Sequence, residues 1–307
     1  MDLSVNLAPQ NSRGLLLANP VMTASGTFGY GTEYGDLVDI QKLGAIVCKG
    51  TTLEPRPGNP QPRVTETASG VLNAIGFQNV GVAALIAEKA PVWAGWRVPV
   101  IVNITANTIE QFGQLAALLN NVKGVSGIEV NISCPNLKSG GMEFGLEPEA
   151  AAQVTAAVKK ATSLPVIVKL SPNTHRVVEI AAAVAGAGAD ALTLINTLKG
   201  MAIDIYSRQP VLGNLTGGLS GPAIKPVALR MVYEVAGTVQ IPIIGCGGIA
   251  AGNDAIEFIM AGATAVQVGT ATFANPHASL DVLAGIEQFL RQQNINRIAD
   301  ITGAAKH

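Results

Sequence analysis

Short apolar segments alternate with alanine-rich segments along almost the whole chain, and this alternation constrains the fold more than any other feature. The apolar segments are continuous, which is typical of parallel strands buried on both faces. The predicted strands are Val21–Ala24, Ala45–Lys49, Pro99–Ile104, Gly127–Ser133, Pro165–Leu170, Ala191–Asn196, Pro242–Cys246 and Ala265–Gly269. Eight such strand–helix units predict an α/β fold, a (β/α)8 TIM barrel, with an open doubly wound sheet as the main alternative.

The boundaries of several helices can be predicted from their capping residues. Asn107 followed by Glu110 predicts a capping box before an apolar helix face. Pro148 suits a first helical turn, and Gly186 with Gly188 predicts the end of another helix.

The 307 residues, 48% of them hydrophobic, are enough for one barrel with a substantial core. We therefore predict a single barrel domain that spans residues 1–307. Long connections follow the second, fourth and sixth strands, at about residues 50–76, 133–146 and 197–221. Connections of this length in a compact domain are usually functional, so we expect them to lie over the active site.

Charge and cysteine content exclude several classes of protein. The net charge is -1 without a basic block, which argues against nucleic acid or an anionic membrane as a partner. Residues Met1–Leu7 lack the pattern of a signal peptide, and no apolar run reaches membrane-spanning length. The three cysteines lack the spacing of a disulfide framework or a zinc site. We predict a cytoplasmic protein without a metal site.

Polar residues recur where the predicted strands end, and barrel enzymes carry their active sites at that carboxyl rim. A single buried polar residue there is commonly a satisfied core group, but six strands share the pattern. The residues, in strand order, are Ser25, Lys49 with Gly50, Asn103, Asn131 to Asn136, Lys169, and Asn196 with Thr197. Their recurrence indicates a functional site rather than packing alone.

Glycines after the last two predicted strands indicate a phosphate-bearing ligand. Gly247-Gly248 and Gly269-Thr270 stand where barrels often bind phosphate through backbone N–H groups. Gly221 could add donors to the same anion, although an ordinary helix start explains it equally well. No Gly-x-Gly-x-x-Gly motif follows a strand, so a Rossmann-type nicotinamide site is not indicated.

Cys134 differs from the other two cysteines in its sequence context. Cys48 and Cys246 lie within predicted strands, as small buried residues do, whereas Cys134 precedes Pro135 in a polar loop. A loop of this kind can present a reactive thiol to a substrate. The histidines, His175, His277 and His307, fall at predicted helix starts or at the terminus, where surface or capping roles are expected.

Four segments resemble those of dihydroorotate dehydrogenases, and the similarity extends from about Leu3 to the last helix. They are Asn73–Asn79 (NAIGFQN), Asn131–Asn136 (NISCPN), Val168–Asn173 (VKLSPN) and Gly217–Pro226 (GGLSGPAIKP). The resemblance implies an FMN-containing barrel that oxidises (S)-dihydroorotate to orotate in de novo pyrimidine biosynthesis.

With a cysteine at position 134 the chain resembles the class 1 enzymes of this family, since class 2 enzymes carry serine there. The Asn196–Met201 and Gly217–Pro226 segments resemble the B-type catalytic subunit, whose electrons pass to NAD+. This resemblance implies an iron–sulfur flavoprotein partner that carries FAD and a [2Fe–2S] cluster, in a heterotetramer with two copies of each subunit. The A-type enzyme, which reduces fumarate, is the close alternative.

The resemblance also assigns binding residues. It places FMN contacts at Ser25, Lys49, Gly50, Asn103, Asn131, Lys169, Ile195, Gly221, Gly247, Gly248, Gly269 and Thr270. It places dihydroorotate contacts at Lys49, Asn73, Ala74, Ile75, Gly76, Phe77, Asn131, Asn196 and Thr197. Phe77 stands where the family pattern leads us to expect leucine.

The implied chemistry gives particular residues a role. Cys134 as a thiolate is the base that removes a proton from C5 of dihydroorotate, while hydride leaves C6 for flavin N5. Lys169 stabilises negative charge on the reduced flavin near N1 and O2. Two alternatives remain open: a non-redox lyase that forms a Schiff base on Lys49 or Lys169, and a chain that serves mainly as a binding component.

Overall fold

The computed structural model describes residues 1–132 and 144–305. Within these residues, eight parallel strands, β1–β8, form one sheet in which neighbours in sequence are neighbours in space. They are Val21–Thr23, Ile46–Val47, Val100–Ile104, Gly127–Asn131, Val166–Lys169, Ala191–Leu194, Ile243–Cys246 and Ala265–Val268. A parallel bridge between Met22 and Ala45 joins β1 to β2, which closes the sheet. The predicted (β/α)8 TIM barrel is confirmed.

Each strand lies inside its predicted range and most end earlier. Lys49 and Asn196, for example, were expected within strands but follow them. The backbone leaves the parallel ladder at these positions to form the loops of the rim. The polar residues of the rim are therefore loop or strand-end residues.

Eight helices of the described residues are named α1–α8 in chain order. α1 is a continuous helical segment composed of Gly81–Ala84, a π-helical turn at Leu85–Lys89, and Ala90–Trp93. The others are Ile109–Leu119, Pro148–Ala161, Val177–Gly186, Lys225–Ala236, Gly252–Met260, Ala271–Ala274 and Ala278–Gln292.

The prediction of eight complete strand–helix units was wrong for the first unit. In the described chain, β1 and β2 are joined by two 3-10 turns, Thr32–Tyr34 and Ile40–Lys42, in place of an α-helix. Phe28 and Tyr34 stack there with ring centroids 4.1 Å apart, and Ile40 is buried beside them. The same cluster includes Ile46 of β2, so these side chains pack against the barrel wall.

Helix capping agrees with two of the three predictions. Pro148 begins α3, and Gly186 ends α4 with Gly188 following at φ 97°. The predicted N-cap at Asn107 was wrong by one residue: Thr108 caps α2, and its hydroxyl accepts a hydrogen bond from the backbone N–H of Gln111. Thr108 has the extended backbone that an N-cap requires, with φ -135° and ψ 159°.

The barrel strands are buried on both faces, as their continuous apolar character predicted. All five residues of β3 are buried, and Ile101 is completely inaccessible. Burying a side chain of that size contributes roughly 1.5–3 kcal/mol. A hairpin of Val5–Asn6 and Leu16–Leu17 precedes the barrel, and a Cβ built on Gly127 would lie 3.6 Å from Leu15 Cδ2. This hairpin thus packs at the amino-terminal end of the strands.

Two long connections contain strands that the sequence did not predict. Val64–Thr67 and Gly70–Asn73 come from the connection after β2, and Leu198–Gly200 and Gly217–Ser220 come from the connection after β6. They form one antiparallel four-stranded sheet, which we call the rim sheet. Residues 203–210 extend beyond it as an exposed hairpin. None of the helices in the described part of the chain is long and apolar enough to cross a membrane.

Candidate active site

A cluster of buried polar side chains occupies the inside of the barrel near the carboxyl ends of its strands. Its members come from five different strands: Asn103 on β3, Glu129 on β4, Lys169 on β5, Thr193 on β6 and Gln267 on β8. Each is at most 3% exposed, so each must find a partner inside the protein or in a bound molecule.

Glu129 is at the centre of this cluster. One carboxylate oxygen accepts a hydrogen bond from Asn103 Nδ2 at 2.7 Å. The other accepts from Gln267 Nε2 at 2.7 Å and from Thr193 Oγ1 at 3.0 Å. Lys169 Nζ lies 3.9 Å from the carboxylate. Charge-assisted bonds of this kind are shorter and stronger than neutral ones, and they join β3, β6 and β8 to β4.

Lys169 is a buried cation with several polar neighbours. Its ammonium donates to Gln267 Oε1 at 3.2 Å and to Ser25 Oγ at 3.4 Å. Burial acts to lower the pKa of Lys169, but Cys246 and Glu129 act in the opposite direction and the net pKa lies above its ordinary value. Lys169 is therefore protonated at neutral pH.

Cys48 and Cys246 were both predicted to be buried core residues. Both are buried free thiols. Burial raises the pKa of Cys48 to about 12, and burial raises the pKa of Cys246 although the neighbouring Lys169 opposes it. The difference between them is that Cys246 Sγ lies 3.9 Å from Lys169 Nζ, at the edge of the polar cluster. At neutral pH both residues are thiols rather than thiolates.

Asn103 has one amide atom that no described residue satisfies. Its Nδ2 donates to Glu129 and contacts Ser25 Oγ at 3.4 Å, whereas its buried Oδ1 has no hydrogen-bond partner. A Cβ built on Gly50 would lie 3.1 Å from this oxygen and 3.2 Å from the ring of Phe77. Leaving such an acceptor unpaired costs about 1–3 kcal/mol, so the geometry is suited to a bound molecule that donates a hydrogen bond.

A second group of predicted residues comes together beside the cluster. Asn196 Nδ2 donates to Asn131 Oδ1 at 3.3 Å, and Asn196 Oδ1 accepts from the backbone N–H of Thr197 at 2.8 Å. The carbonyl of Thr197 in turn accepts from Asn173 Nδ2 at 3.1 Å. These contacts join the ends of β4, β5 and β6, where amide groups offer both donors and acceptors to a ligand.

The glycines predicted to bind phosphate lie in turns after the rim sheet and the last two strands. Gly221, Gly247 and Gly248 have positive φ angles of 93°, 131° and 76°, which only glycine adopts readily. A Cβ on Gly221 would be 3.5 Å from Thr270 Cγ2, and Thr270 Oγ1 is hydrogen-bonded to Ser220 Oγ at 2.8 Å. The loops after β6 and β8 therefore meet at this corner.

Two further predicted residues extend the same corner. A Cβ on Gly247 would lie 3.5 Å from Ile195 Cγ1, which brings the end of β6 beside the turn after β7. Gly269 follows β8. A Cβ built on Gly269 would lie 3.2 Å from the Cβ of Ala24, so Gly269 lies next to the end of β1. The peptide bond between Leu194 and Ile195 is cis.

The predicted substrate segment 73–77 connects the rim sheet to the barrel mouth. Asn73 Nδ2 donates to the carbonyl of Gly218 across the sheet at 3.3 Å, and Phe77 lies near Gly50 with φ 56°. Ala74 packs instead against Leu72 and Leu212 in a small apolar cluster. The carbonyl of Ile75 accepts from Asn59, and Gly76 has φ 74°, so these two residues support the turn.

Lys49 lies among the described residues, whereas Cys134 does not. Lys49 follows β2, is half-buried, and donates its backbone N–H to the carbonyl of Gly29 at 2.8 Å. The predicted base Cys134 and the flanking Ser133, Pro135 and Asn136 lie outside the described residues. Among the residues that are described, no group of three histidine, cysteine, aspartate or glutamate side chains could hold a metal ion.

Glu129, Thr193 and Gln267 were missed in the sequence. Each lies inside a strand that was taken as uniformly apolar. A signal was present, because Glu129 precedes Asn131 by two residues and residues two apart on a strand face the same side. The same periodicity makes a single glutamate or glutamine within a buried strand a candidate for the barrel interior.

The closed barrel with a polar cluster at its carboxyl rim places this chain in the class of (β/α)8-barrel enzymes. The family model described as dihydroorotate dehydrogenase matches residues 8–290. The chain belongs to the dihydroorotate dehydrogenase family.

Individual relatives match over nearly their full length. A protein of Pelobacter propionicus is 59% identical over 303 residues, which are 99% of this chain and 98% of the relative. One of Desulforamulus reducens is 57% identical over 303 residues, 99% of both chains. One of Geotalea daltonii is 56% identical over 305 residues, 99% of this chain and 98% of the relative. All three are named dihydroorotate dehydrogenase B (NAD(+)), catalytic subunit.

Proposed function

We propose that this chain oxidises (S)-dihydroorotate to orotate in pyrimidine biosynthesis, with FMN as its bound cofactor. The observation that carries the proposal is the buried polar cluster at the carboxyl rim of a barrel that belongs to this family. When bound, FMN would accept the hydride that leaves the substrate. The remaining steps depend on side chains of this chain.

The residues present fit a flavin. The unpaired Asn103 Oδ1 offers a buried acceptor to a ring N–H, and Lys169 offers a cation to ring atoms that gain negative charge. Ser25, Lys49, Gly50, Asn131 and Ile195 complete the proposed ring contacts. At the adjoining corner, Gly221, Gly247, Gly248, Gly269 and Thr270 would hold the phosphate through backbone N–H groups.

The polar residues Asn131, Asn196 and Thr197 would together hold the substrate ring. Asparagine side chains match its amide edges because each one both donates and accepts. Lys49 would balance the substrate carboxylate, and Asn73 to Phe77 would cover the substrate from the rim sheet. Phe77 in place of leucine keeps this cover apolar.

Cys134 is proposed as the general base, which as a thiolate takes the proton from C5 of dihydroorotate. Cys134→Ser should retain FMN and bind orotate, but its flavin should be reduced about 10²–10⁴-fold more slowly, because general-base help is typically of that size. Rapid mixing with dihydroorotate in the absence of oxygen measures this rate. Cys48→Ser is the matched control at a buried thiol, and reduction of Cys134→Ser at the wild-type rate would remove Cys134 from the mechanism.

For the electrons, we propose transfer to NAD+ through a partner subunit with FAD and a [2Fe–2S] cluster, in a heterotetramer of two copies each. The names of the relatives, B-type and catalytic subunit, support this choice. Co-expression with an iron–sulfur flavoprotein should give a stable complex that reduces NAD+, while the isolated chain should not. Equally efficient oxidation by the isolated chain with fumarate would favour the A-type instead.

The Schiff-base alternative is not supported at Lys169. A lysine that forms a Schiff base must lose its proton, and enzymes achieve this by lowering its pKa. Lys169 has a raised pKa beside Glu129. Borohydride should therefore trap no carbonyl substrate on this residue.

A further inference from the structure

Glu129 has no place in the function proposed so far, yet it accepts three side-chain hydrogen bonds at the centre of the polar cluster. It is completely buried, and it receives donors from Asn103, Thr193 and Gln267. A carboxylate in such a position is costly to desolvate unless several donors and a counter-charge surround it. The free-energy cost of burying this carboxylate indicates that Glu129 has a role beyond packing.

The carboxylate determines how two neighbouring amides are oriented. Because Glu129 accepts from Nδ2 of Asn103, the Oδ1 of Asn103 faces away, toward Gly50. Because it also accepts from Nε2 of Gln267, the Oε1 of Gln267 is available to Lys169. Glu129 therefore makes one amide an acceptor for a ligand and the other an acceptor for the lysine.

Glu129 is also the charge that faces Lys169. The titratable groups that act on Lys169 are Glu129 from β4 and Cys246 from β7. Cys246 is a neutral thiol at neutral pH because burial raises its pKa. Cys48, near Glu129, is likewise neutral. Glu129 is then the carboxylate among the described groups that act on Lys169, and it lies 3.9 Å from Nζ.

We propose that Glu129 is a positioning residue that keeps Lys169 charged, and that through Lys169 it controls how readily a bound flavin accepts electrons. This inference rests on the proposed function, since it requires FMN at the rim. Glu129 does not contact the reacting atoms in this scheme. It acts by preserving the cation that a negatively charged flavin ring requires.

Sulfite affinity tests this inference without substrate turnover, because sulfite adds to flavin N5 and leaves negative charge on the ring. The bleaching of flavin absorption by sulfite gives the Kd of sulfite for wild type and for Glu129→Gln. The Kd is measured from about pH 6 to about pH 9, and the ratio of the mutant Kd to the wild-type Kd is compared at each pH. Glu287→Gln is the matched control, since Glu287 forms an exposed pair with Arg291 on α8.

In Glu129→Gln, Lys169 loses one of the two groups that offset its burial, so its pKa should fall into this pH range. The Kd ratio should stay within about threefold of unity at the lowest pH and rise about tenfold per pH unit above the new pKa of Lys169. At higher pH this Kd ratio should level off at the value of the ratio measured for Lys169→Met. The ratio for Glu287→Gln should be close to unity throughout. A Glu129→Gln ratio that does not change with pH would overturn the inference.

If Glu129→Gln is not recovered in folded form, Lys169→Met and the uncharged double variant Glu129→Gln/Lys169→Met provide the test. If Glu129 acts through Lys169, these two proteins should bind sulfite within about threefold of each other. A difference of more than about tenfold would contradict this. A wild-type protein that binds no flavin would instead overturn the proposed function itself.

Discussion

At the scale of single residues, burial determines which side chains carry charge. Lys169 keeps its proton inside the barrel, and its pKa is raised although burial opposes this, because Cys246 and Glu129 lie nearby. For Cys48 the loss of solvent dominates, and burial raises its pKa to about 12. The same barrel interior thus keeps a lysine charged and suppresses ionisation of the Cys48 thiol.

The raised pKa of Cys48 predicts how stability changes in alkali. In the unfolded chain this thiol ionises near its ordinary pKa of 9.0, while in the folded protein it keeps its proton to about 12. Between these values the unfolded state binds fewer protons, so the contribution of Cys48 is complete below pH 9.0 and is lost as pH rises toward 12. The free energy of unfolding of wild type, relative to Cys48→Ala, should fall by about 1.4 kcal/mol per pH unit in this window.

Urea unfolding at several pH values measures this difference. Groups common to both proteins cancel in the comparison, except Tyr30, whose pKa Cys48 helps to raise. A difference between wild type and Cys48→Ala that stays constant from neutral pH into the alkaline range would show that Cys48 is not held as a buried thiol.

At the scale of elements, capping chemistry and continuous apolar strands could be predicted, but pairing between distant segments could not. The strands of the barrel are recognisable because each is a local apolar run. The rim sheet pairs Asn73 with Gly218, which are 145 residues apart. Register between such distant segments depends on how the barrel places both connections, which no local pattern contains.

Thr108 should contribute more than Asn107 to the stability of α2. Thr108→Ala removes the side-chain acceptor for Gln111 and should lower the free energy of unfolding by about 1 kcal/mol. Asn107→Ala removes an exposed contact with Arg56 and should cost less than about 0.5 kcal/mol. Urea unfolding of both variants tests the corrected N-cap, and the reverse ranking would restore Asn107 as the cap.

Gly218 should matter for ligand binding because the rim sheet has no room for a side chain there. A Cβ on Gly218 would clash with Thr197 Oγ1, so Gly218→Ala must displace Thr197. Overpacking of this kind costs about 1–3 kcal/mol, which corresponds to weakening of orotate binding by about fivefold to about 150-fold. FMN content should be unchanged, since the barrel cluster is not disturbed.

Gly186→Ala is the matched control for this substitution. A Cβ on Gly186, at the end of α4, meets no atom within 4 Å, and alanine favours helix by up to about 1 kcal/mol. Orotate should bind this variant with the wild-type Kd. Equal effects of the two substitutions would mean that Gly218 acts through general stability rather than through Thr197.

At the scale of the whole molecule, the parallel barrel brings residues from distant parts of the chain to one rim. Strand order alone predicted that Ser25, Asn103 and Lys169 would converge, and hydrogen bonds connect them. Glu129 and Gln267 could not be assigned in the same way while their strands were treated as uniformly buried. The site is thus predictable where polar residues end strands, and less so where they lie within them.

The central claim is that this barrel binds FMN and reduces it with dihydroorotate. The most direct measurement is the absorption spectrum of the purified chain before and after dihydroorotate is added without oxygen. The protein should be yellow, and stoichiometric dihydroorotate should bleach its flavin absorption. A colourless protein with no FMN in its acid extract, or a flavin that dihydroorotate leaves oxidised, would contradict the account.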